Sequence, residues 1–480
     1  MTIDNIDIEA TVSKVRELME QEENISPALK AVLDVLLVLV VAMLNRLTLS
    51  SKNSSLPPSK DSKKSRPPKK KKRNPNGNKP GGQKGHVGTT LEPFSDPDEV
   101  HVIEVDRSML PEGNYKEIGY DKKQVIDIDI SRIITEYRAQ ILENEKGERF
   151  VAPFPDKVTR PAQYGVSVKS HSVYISQFQL IPYNRVEDYF RNEIQIPISA
   201  GSIFNFNKEA FLLLEPFEQW LKIHLLNSPL LNADETGIKI GTKGHWLHCL
   251  SNAGATWFYP HLKRGTEAMD EMGVLPNFKG KLVHDHWKPY FRYDGCIHFL
   301  CNAHHVRELE RAWEQDHQQW AKQMQELLLE INKIVQDAGG ILDPDIAEKF
   351  KVQYRNILRE ANKECPPPDE SQRKGKRGRL KRSKARNLLE RLRDFENSTL
   401  GFMEDILVPF TNNQGENDIR MTKVHQKISG CFRSYEGAEI FCRVRSYIST
   451  CRKQGVSASD ALDLLFKGEW PEFMQTEKAE

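Results

Sequence analysis

Three acidic residues that lie far apart in the chain have the types and settings needed to hold metal ions. Asp234 follows an apolar run in LLNADETGIKI, Asp285 follows another in FKGKLVHDHW, and Glu416 lies in NNQGENDIR. Carboxylate oxygens are ligands that magnesium prefers, and two divalent cations about 4 Å apart can clamp both oxygens of an in-line phosphoryl displacement. If folding brings these acids together, the pocket would suit chemistry on a phosphodiester.

The pattern around these acids predicts a mixed sheet that is followed by helices. LLNADETGIKI, HWLHCL and TWFYP, separated by the turns GTKG and SNAG, predict a three-strand meander. A short helix through TEAMDEMG, a strand from Gly280 to Asp285, the strand CIHFLC and a helix after Asn302 follow. This is the element order of a ribonuclease-H-like domain, in which the first and fourth strands are neighbours. That layout predicts that Asp234 lies beside Asp285 and that a late helix supplies Glu416.

Two of the acids have close competitors in the sequence. Side chains alternate along a strand, so that Asp234 and Glu235 face opposite ways and only one joins a shared site. We assign Asp234. On the late helix, Asn412 and Arg420 lie one turn to either side of Glu416 on the same face, and Asp418 is a second acid nearby. The alternative is that all of these are surface carboxylates among the 67 acidic residues.

Composition places limits on the kind of protein. A chain of 480 residues with 38% hydrophobic content predicts about three ordinary domains. Seven scattered cysteines and an acidic amino terminus without signal-peptide features favour the reducing cytoplasm. The apolar stretch 31–44 is shorter than the roughly 18 residues needed to cross a bilayer, so we expect no membrane association.

A first helix is predicted from Ser26, a suitable cap, and Pro27, which suits the first helical position. Its apolar residues follow a coiled-coil seam, which favours self-association, although packing within its own chain is the alternative. The seam consists of Leu29, Leu33, Leu36, Val40, Met43 and Leu47.

Residues 50–96 are rich in Ser, Pro, Gly and Lys, a composition that predicts a flexible basic linker. Its densest part, KKSRPPKKKKR at 63–73, has eight basic residues in eleven and is expected to contact DNA phosphates without sequence preference. The core of this block is Lys69, Lys70, Lys71, Lys72 and Arg73.

The next two segments predict a small sheet and a helical region. From 97 to 160 apolar and polar residues alternate, as in HVIEV and QVIDIDI, and a Glu-Lys-Gly turn predicts a hairpin. From 161 to 228 the periodicity is helical, with Ser199 as a cap. Two helices around a short connection favour a helix-turn-helix in which 200–210 reads DNA, although such helix pairs also occur in any helical region.

Two further features lie within the catalytic region. Cys296, His298, Cys301, His304 and His305 have zinc-ligand types, but their spacing matches no standard zinc site, and packed cysteines with a site-facing histidine are favoured. A second basic segment, 373–386, is either a solvated loop or a clamp on DNA.

The chain resembles the insertion-sequence sixty-six family of DDE transposases. The resemblance rests on ADETG at 233–237, LVHDH at 282–286, CNAHHVREL at 301–309, NNQGENDIR at 412–420 and the segment 430–455. YGVSVKSHSVYISQFQLIPYNR and NSSLPPSKD are similar to upstream regions of the family, so that most of the chain is covered. Members usually carry two Cys-x-x-Cys pairs that bind zinc, and this chain has no cysteine before Cys249, which excludes that module.

The resemblance implies a function and a set of site residues. Asp234, Asp285 and Glu416 would form the catalytic and metal-binding triad, holding two magnesium ions, with manganese as an alternative. Water attack would free a DNA 3′-hydroxyl, which then attacks target DNA. Residues expected to support the site or contact DNA are His304, Arg307, Asn412, Arg420 and the Lys69 to Arg73 block.

The implied partners are the DNA ends of the element, target DNA, further copies of the chain in a homo-oligomer, and companion proteins of the same element. The expected location is the bacterial cytoplasm, in association with the nucleoid. Two alternatives stay open. One is a structure-specific nuclease of the same fold that does not join DNA, and the other is a non-catalytic DNA-binding derivative.

The expected fold is therefore multidomain α+β. A ribonuclease-H-like domain at 229–429, with a helical insertion at about 310–400, follows a coiled-coil segment (1–49), the basic linker (50–96), a small antiparallel β domain (97–160) and the helical DNA-binding region (161–228). A helical region at 430–480 completes the chain.

Overall fold

The computed structural model describes residues 2–3, 6–22, 25–47, 49, 52–54, 91–369, 380 and 382–476. Contacts divide the chain into two compact units. The larger unit contains the described residues before position 67, Phe154–Tyr189 and the described residues from Pro197 onward. The smaller unit contains the described residues 91–153 together with Phe190–Ile196. Among the described helices, none has the length and apolar character needed to cross a bilayer. The basic block from Lys69 to Arg73 lies outside the described residues.

The amino-terminal part of the larger unit is helical after a minimal pair of strands. Strands β1 (Thr2–Ile3) and β2 (Ile6–Asp7) pair antiparallel and lead into helix α1 (Ile8–Gln21). Helix α2 (Pro27–Leu47) begins as predicted, since the Leu29 amide donates to the Ser26 Oγ at 3.3 Å. Many apolar side chains of α2 are exposed, namely Leu29, Val32, Val35, Leu36, Val38, Leu39, Val40 and Met43.

The described part of the smaller unit, 91–153 and Phe190–Ile196, has little regular structure. Strands β3 (Ile141–Glu143) and β4 (Arg149–Val151) form an antiparallel hairpin around Gly147, as the Glu-Lys-Gly turn predicted, and a short 3-10 helix covers Arg107–Met109. The prediction of strands at HVIEV and QVIDIDI is wrong. Ile103 is 90% and Val125 is 94% exposed, so the alternating side chains have no second layer to pack against. Alternation produces a stable strand only where one face is buried.

A helical segment precedes the sheet. It consists of α3 (Val166–Val173), a π-helix (Tyr174–Phe178), α4 (Tyr183–Asn192), α5 (Ala200–Leu213) and α6 (Glu215–Leu226). Ser199 caps α5 as predicted, because its Oγ accepts from the Ser202 amide at 3.1 Å. Leu214 alone separates α5 from α6.

A five-stranded mixed sheet lies at the centre of the larger unit. It contains β5 (Leu230–Ile240), β6 (Lys243–Ser251), β7 (Thr256–His261), β8 (Lys281–His284) and β9 (Ile297–Leu300), in the order β7-β6-β5-β8-β9. Helix α7 (Thr266–Met272) and the 3-10 helices Leu275–Asn277 and Lys288–Arg292 lie between strands. The meander β5-β6-β7 is antiparallel, whereas β5, β8 and β9 are parallel. The predicted adjacency of the first and fourth strands is confirmed.

Helices follow the sheet. Those of the predicted insertion are α8 (Asn302–Asp316), α9 (Gln319–Asp337), α10 (Pro344–Glu364), α11 (Lys384–Asp394) and α12 (Glu396–Leu400), with a 3-10 helix at Gly401–Met403. The last four are α13 (Asn413–Ser429), α14 (Tyr435–Lys453), α15 (Ala458–Lys467) and α16 (Glu472–Thr476).

Two apolar clusters stabilise the sheet and its helices. One joins β8 and β9 to the insertion helices, and its largest fully buried side chains are Trp320 and Tyr354. The other joins β5, β6 and β7 to α13 and α14, with Leu247, Phe258 and Phe441 at its centre. Both β5 and α13, which carry predicted site residues, are therefore held by core packing.

Helix α5 contacts α3, α14 and α15 through its buried side. Its charged residues have partners in the same unit, because Lys208 pairs with Glu436 at 2.7 Å and Glu209 with Lys169 at 2.7 Å. DNA reading by 200–210 stays a prediction.

The second basic segment is only partly described, since residues 370–379 and 381 lie outside the described residues. Arg386, which was predicted to belong to a loop that is solvated or clamps DNA, is instead buried in the first turn of α11. Its Nε pairs with Glu390 at 2.9 Å and its Nη1 donates to Asn362 Oδ1 at 2.7 Å. A guanidinium with these partners stabilises the insertion and is not available to DNA phosphates.

Candidate active site

Two of the predicted acids lie on neighbouring parallel strands. Asn232 of β5 is opposite Val283 of β8, and continuing this register by two residues sets Asp234 opposite Asp285. Asp285 directly follows β8, at the carboxyl end of the strand. Its Oδ1 accepts from the Trp287 amide at 3.0 Å.

The third acid comes from α13, whose start is fixed to β5 by Asn412. Asn412 Nδ2 donates to the Ala233 carbonyl at 2.8 Å, and Asn232 Nδ2 donates to Asn412 Oδ1 at 2.8 Å. These contacts involve the two residues directly before Asp234. Asn412 is 2% exposed, so of the two roles predicted for it, support of the site agrees with its position and DNA contact does not. Glu416 follows in the first turn of α13.

Burial and neighbouring negative charges destabilise the ionised form of all three carboxylates. Burial, then the charge of Glu235, and further the charges of Glu416 and Asp285, raise the pKa of Asp234 to about 8. Burial and the charge of Glu235 raise the pKa of Asp285 to about 6. Burial also raises the pKa of Glu416, with Asp285 contributing and Arg307 opposing. Carboxylates held in this way favour either a proton or a bound cation, and oxygen donors suit magnesium or manganese.

Glu235, the competitor of Asp234, has dedicated partners. Arg264 donates to its Oε1 through Nε at 2.9 Å and Nη2 at 2.5 Å, and the Tyr290 hydroxyl donates to its Oε2 at 2.5 Å. The Glu235 side chain is 2% exposed. Asp234 is therefore the carboxylate of β5 that is left for the shared site. Arg264 and Tyr290 were missed by the sequence analysis, because no local pattern links them to Glu235.

Asp418, the competitor of Glu416, also has a structural role. Its Oδ2 accepts from Lys453 Nζ at 2.7 Å, and the same ammonium donates to the carbonyls of Asn252 at 2.9 Å and Ala255 at 3.1 Å. Asp418 thereby joins α13 to α14 and to the turn between β6 and β7.

Several positive or polar groups near the acids are buried without a hydrogen-bond partner in the described part of the chain. They are the predicted His304 (Nδ1) and Arg307 (Nε), and His286 (Nε2). His286 was not singled out by the sequence analysis, although its position directly after Asp285 was the available signal. Arg420, also predicted, is exposed on α13 one turn beyond Glu416.

The predicted cysteine and histidine cluster divides into separate groups. Cys296 Sγ donates to the Tyr293 carbonyl at 3.2 Å and lies 3.7 Å from His298 Nε2. Buried His305 pairs with the Asn302 side chain at 3.0 Å. Among the described residues, the three ligand atoms within 4.8 Å of one another belong to Cys301, His304 and Glu416, rather than to the three carboxylates.

Comparison with known proteins gives two family matches. Residues 161–440 match the model described as Transposase IS66 family, and residues 3–92 match a family of unknown function. The first match includes the sheet, the insertion helices and all three acids. No curated protein matches the chain.

Proposed function

The chain belongs to the Transposase IS66 family, and from this premise we propose that it cleaves DNA at the ends of its insertion sequence and joins them to target DNA. Asp234, Asp285 and Glu416 are the proposed catalytic carboxylates. The observation that supports them most directly is their placement, because the parallel register of β5 and β8 sets Asp234 opposite Asp285, and Asn412 fixes the beginning of α13, which carries Glu416, to β5.

A ribonuclease-H-like fold is the proposed framework. Its support is the sheet order β7-β6-β5-β8-β9, with an antiparallel meander followed by parallel strands, and the helix α13 against β5. In such a framework the carboxyl ends of parallel strands carry the ligand site.

Membership of this family implies dependence on a divalent metal. Asp234, Asp285 and Glu416 would hold a pair of magnesium ions through their carboxylate oxygens. Such ions, when bound, neutralise the phosphate and activate the attacking oxygen. A pair of bound cations would balance the charge of three carboxylates that have fewer basic side chains than acids around them.

The other side chains position the DNA and the acids. Asn412 fixes the beginning of α13 to β5 and so sets the place of Glu416. The unpartnered polar atoms of His304, Arg307 and His286 are suited to hydrogen bonds with phosphate oxygens around the cleaved bond. Arg264 and Tyr290 hydrogen-bond to Glu235 and fix its side chain, whose charge raises the pKa of both Asp234 and Asp285.

The proposal is tested with the full chain and a duplex that carries one end of the element. With magnesium, wild-type protein is expected to release a 3′-hydroxyl end and to join it to a target duplex, both followed on sequencing gels. Asp234→Asn and Asp285→Asn should lower cleavage by about 10³-fold or more, since each removes charge that is needed in the transition state. Asp294→Asn is the control, because Asp294 is an exposed acid after the Lys288–Arg292 helix.

The products separate the proposal from its alternatives. Cleaved ends without joined products would indicate a nuclease. Cleavage that is unchanged in both aspartate variants, while Asp294→Asn is also unchanged, would show that these carboxylates do not carry the reaction.

A further inference from the structure

A second group of ligand atoms lies beside the three carboxylates and has a different chemistry. Cys301 Sγ lies 4.0 Å and His304 Nδ1 lies 3.8 Å from Glu416 Oε1. All three ligand atoms are within 4.8 Å of one another. Around a tetrahedral zinc ion with bonds of about 2.0–2.3 Å, ligand atoms are about 3.3–3.6 Å apart. The distances from Glu416 Oε1 to Cys301 Sγ and to His304 Nδ1 exceed these values by less than about 1 Å.

The three ligands come from regular elements. Cys301 is the residue before α8 and His304 lies in the first turn of that helix, so a spacing of three sets both on the same side. Glu416 occupies the first turn of α13. The beginnings of the two helices are connected directly, because the Asn302 amide donates to the Phe410 carbonyl at 3.0 Å and the Asn412 amide donates to Cys301 Sγ at 3.1 Å.

Backbone amides surround the Cys301 sulfur. The Asn412 amide donates to Cys301 Sγ at 3.1 Å, and the amides of Ala303 and His304 also hydrogen-bond to this sulfur. Donors of this kind stabilise a thiolate, which is the form of cysteine that binds metal ions.

His304 provides an independent indication. Its Nδ1 is buried and has no hydrogen-bond partner in the described part of the chain. An imidazole nitrogen that makes no hydrogen bond within the protein is open to a metal ion, since transition metals bind a ring nitrogen through its lone pair.

We propose that Cys301, His304 and Glu416 bind a thiophilic divalent cation of the zinc class. Sulfur and imidazole donors select such a cation over magnesium, which prefers oxygen. A thiolate and a carboxylate together neutralise its two positive charges. The functional consequence rests on the function proposed above. Because Glu416 belongs to both sites, zinc withdraws Glu416 and His304 from the DNA reaction and inhibits cleavage.

Cation binding is tested on the full metal-free chain without DNA, using Co²⁺ as the optical probe and Zn²⁺ to displace it. Wild-type protein is expected to show thiolate-to-cobalt absorption, and Cys301→Ser is expected to lose it. Cys296→Ser is the matched control, because the Cys296 thiol donates a hydrogen bond to the Tyr293 carbonyl and lies outside the three-ligand group. His304→Ala and Glu416→Gln should weaken zinc binding at least as much as the roughly 10–100-fold cost of losing an outer-shell partner.

Two controls distinguish a variant that has lost metal binding from one that has failed to fold. Circular dichroism of each variant confirms its fold, and Glu416→Gln, a change at a partly exposed side chain, tests the site without altering the buried thiol. No thiolate absorption in wild-type protein, or its retention in folded Cys301→Ser, would overturn the proposal.

Inhibition is measured as the ratio of cleavage with and without zinc for each protein, at constant magnesium. Zinc is expected to lower this ratio for wild-type and Cys296→Ser protein and to have a much smaller effect on Cys301→Ser. Equal inhibition of wild type and Cys301→Ser would refute the shared use of Glu416. If Asp234→Asn retained cleavage, the catalytic assignment would fail, whereas cobalt binding without DNA would be unaffected.

Discussion

Asp234 is placed where its negative charge costs stability in the absence of a cation. Its folded-state pKa of about 8 lies above its ordinary value of 3.8. A raised pKa means that the folded chain binds the proton more tightly than the unfolded chain. The resulting stability is present below about pH 4 and is lost as the pH rises through about 8.

Asp234→Asn should therefore remove a pH-dependent loss of stability. Between pH 4 and pH 8, the free energy of unfolding of the metal-free wild type is expected to fall relative to that of the variant. At pH 8 the variant should be more stable by on the order of 2 kcal/mol. Urea unfolding at pH 5 and pH 8 measures this difference. Magnesium should stabilise the wild type and leave the variant almost unchanged, and an equal response of both proteins would contradict the assigned ligand.

The Glu235 and Arg264 pair makes a separate prediction about buried charge. Arg264→Met leaves the Glu235 carboxylate, 2% exposed, with Tyr290 as its remaining described hydrogen-bond donor. Removing one member of a buried pair costs about 3–5 kcal/mol, and we expect the lower end because Arg264 is 37% exposed. Glu235→Gln should cost less, because an amide is neutral.

A double-variant cycle in urea measures the coupling of this pair. The double variant Arg264→Met with Glu235→Gln should recover part of the stability that Arg264→Met loses. If the two losses simply add, the pair is not coupled and the partial burial of Arg264 against Trp246 and Trp287 would account for its effect.

At the scale of elements, the beginning of α13 depends on Asn412. Asn412→Ala removes two buried hydrogen bonds to β5, which should cost about 2 kcal/mol. Magnesium affinity should fall as well, because Glu416 is displaced with the helix. Asn413→Ala is the matched control, since Asn413 is the exposed neighbour. Thermal unfolding and magnesium titration measure both effects, and equal behaviour of the two variants would contradict the positioning role.

Local pattern predicted the elements near the acids well. The meander, the strand from Gly280, the helix after Asn302 and the adjacency of β5 and β8 are confirmed, since each segment buries a face that its own periodicity reveals. Gly280 is required where it was noted, because a Cβ there would lie 2.7 Å from the Ser228 carbonyl oxygen.

Contacts between distant segments could not be read from the sequence. Arg264 reaches Glu235 from 29 residues away and Lys453 reaches Asp418 from 35 residues away, so no spacing rule links them. The strands predicted at HVIEV and QVIDIDI failed for a related reason. Their alternation is local, but a strand also needs a partner strand and a covering layer, and among the described residues HVIEV and QVIDIDI have neither.

At the scale of the whole molecule, a transposase must bring two DNA ends together, which favours a homo-oligomer. Helix α2 is the proposed contact between copies. Leu36 and Val40 of its seam are 50% and 42% exposed, although both are aliphatic. Exposed apolar side chains repeated at four and three residues form a coiled coil when a second helix covers them. Each buried aliphatic side chain would add about 1.5–3 kcal/mol to the association.

Leu36→Gln with Val40→Gln is expected to lower the mass measured by sedimentation equilibrium at micromolar concentration. The control is Val35→Gln with Val38→Gln, which changes side chains that are 59% and 62% exposed but lie off the seam. Because the two variants lose similar apolar area in the same helix, only the seam distinguishes them. If the control lowers the mass as much, general hydrophobicity holds the copies together. If neither does, another surface joins them. Pairing of element ends, measured by gel retardation with two labelled duplexes, should decline together with the mass of the seam variant.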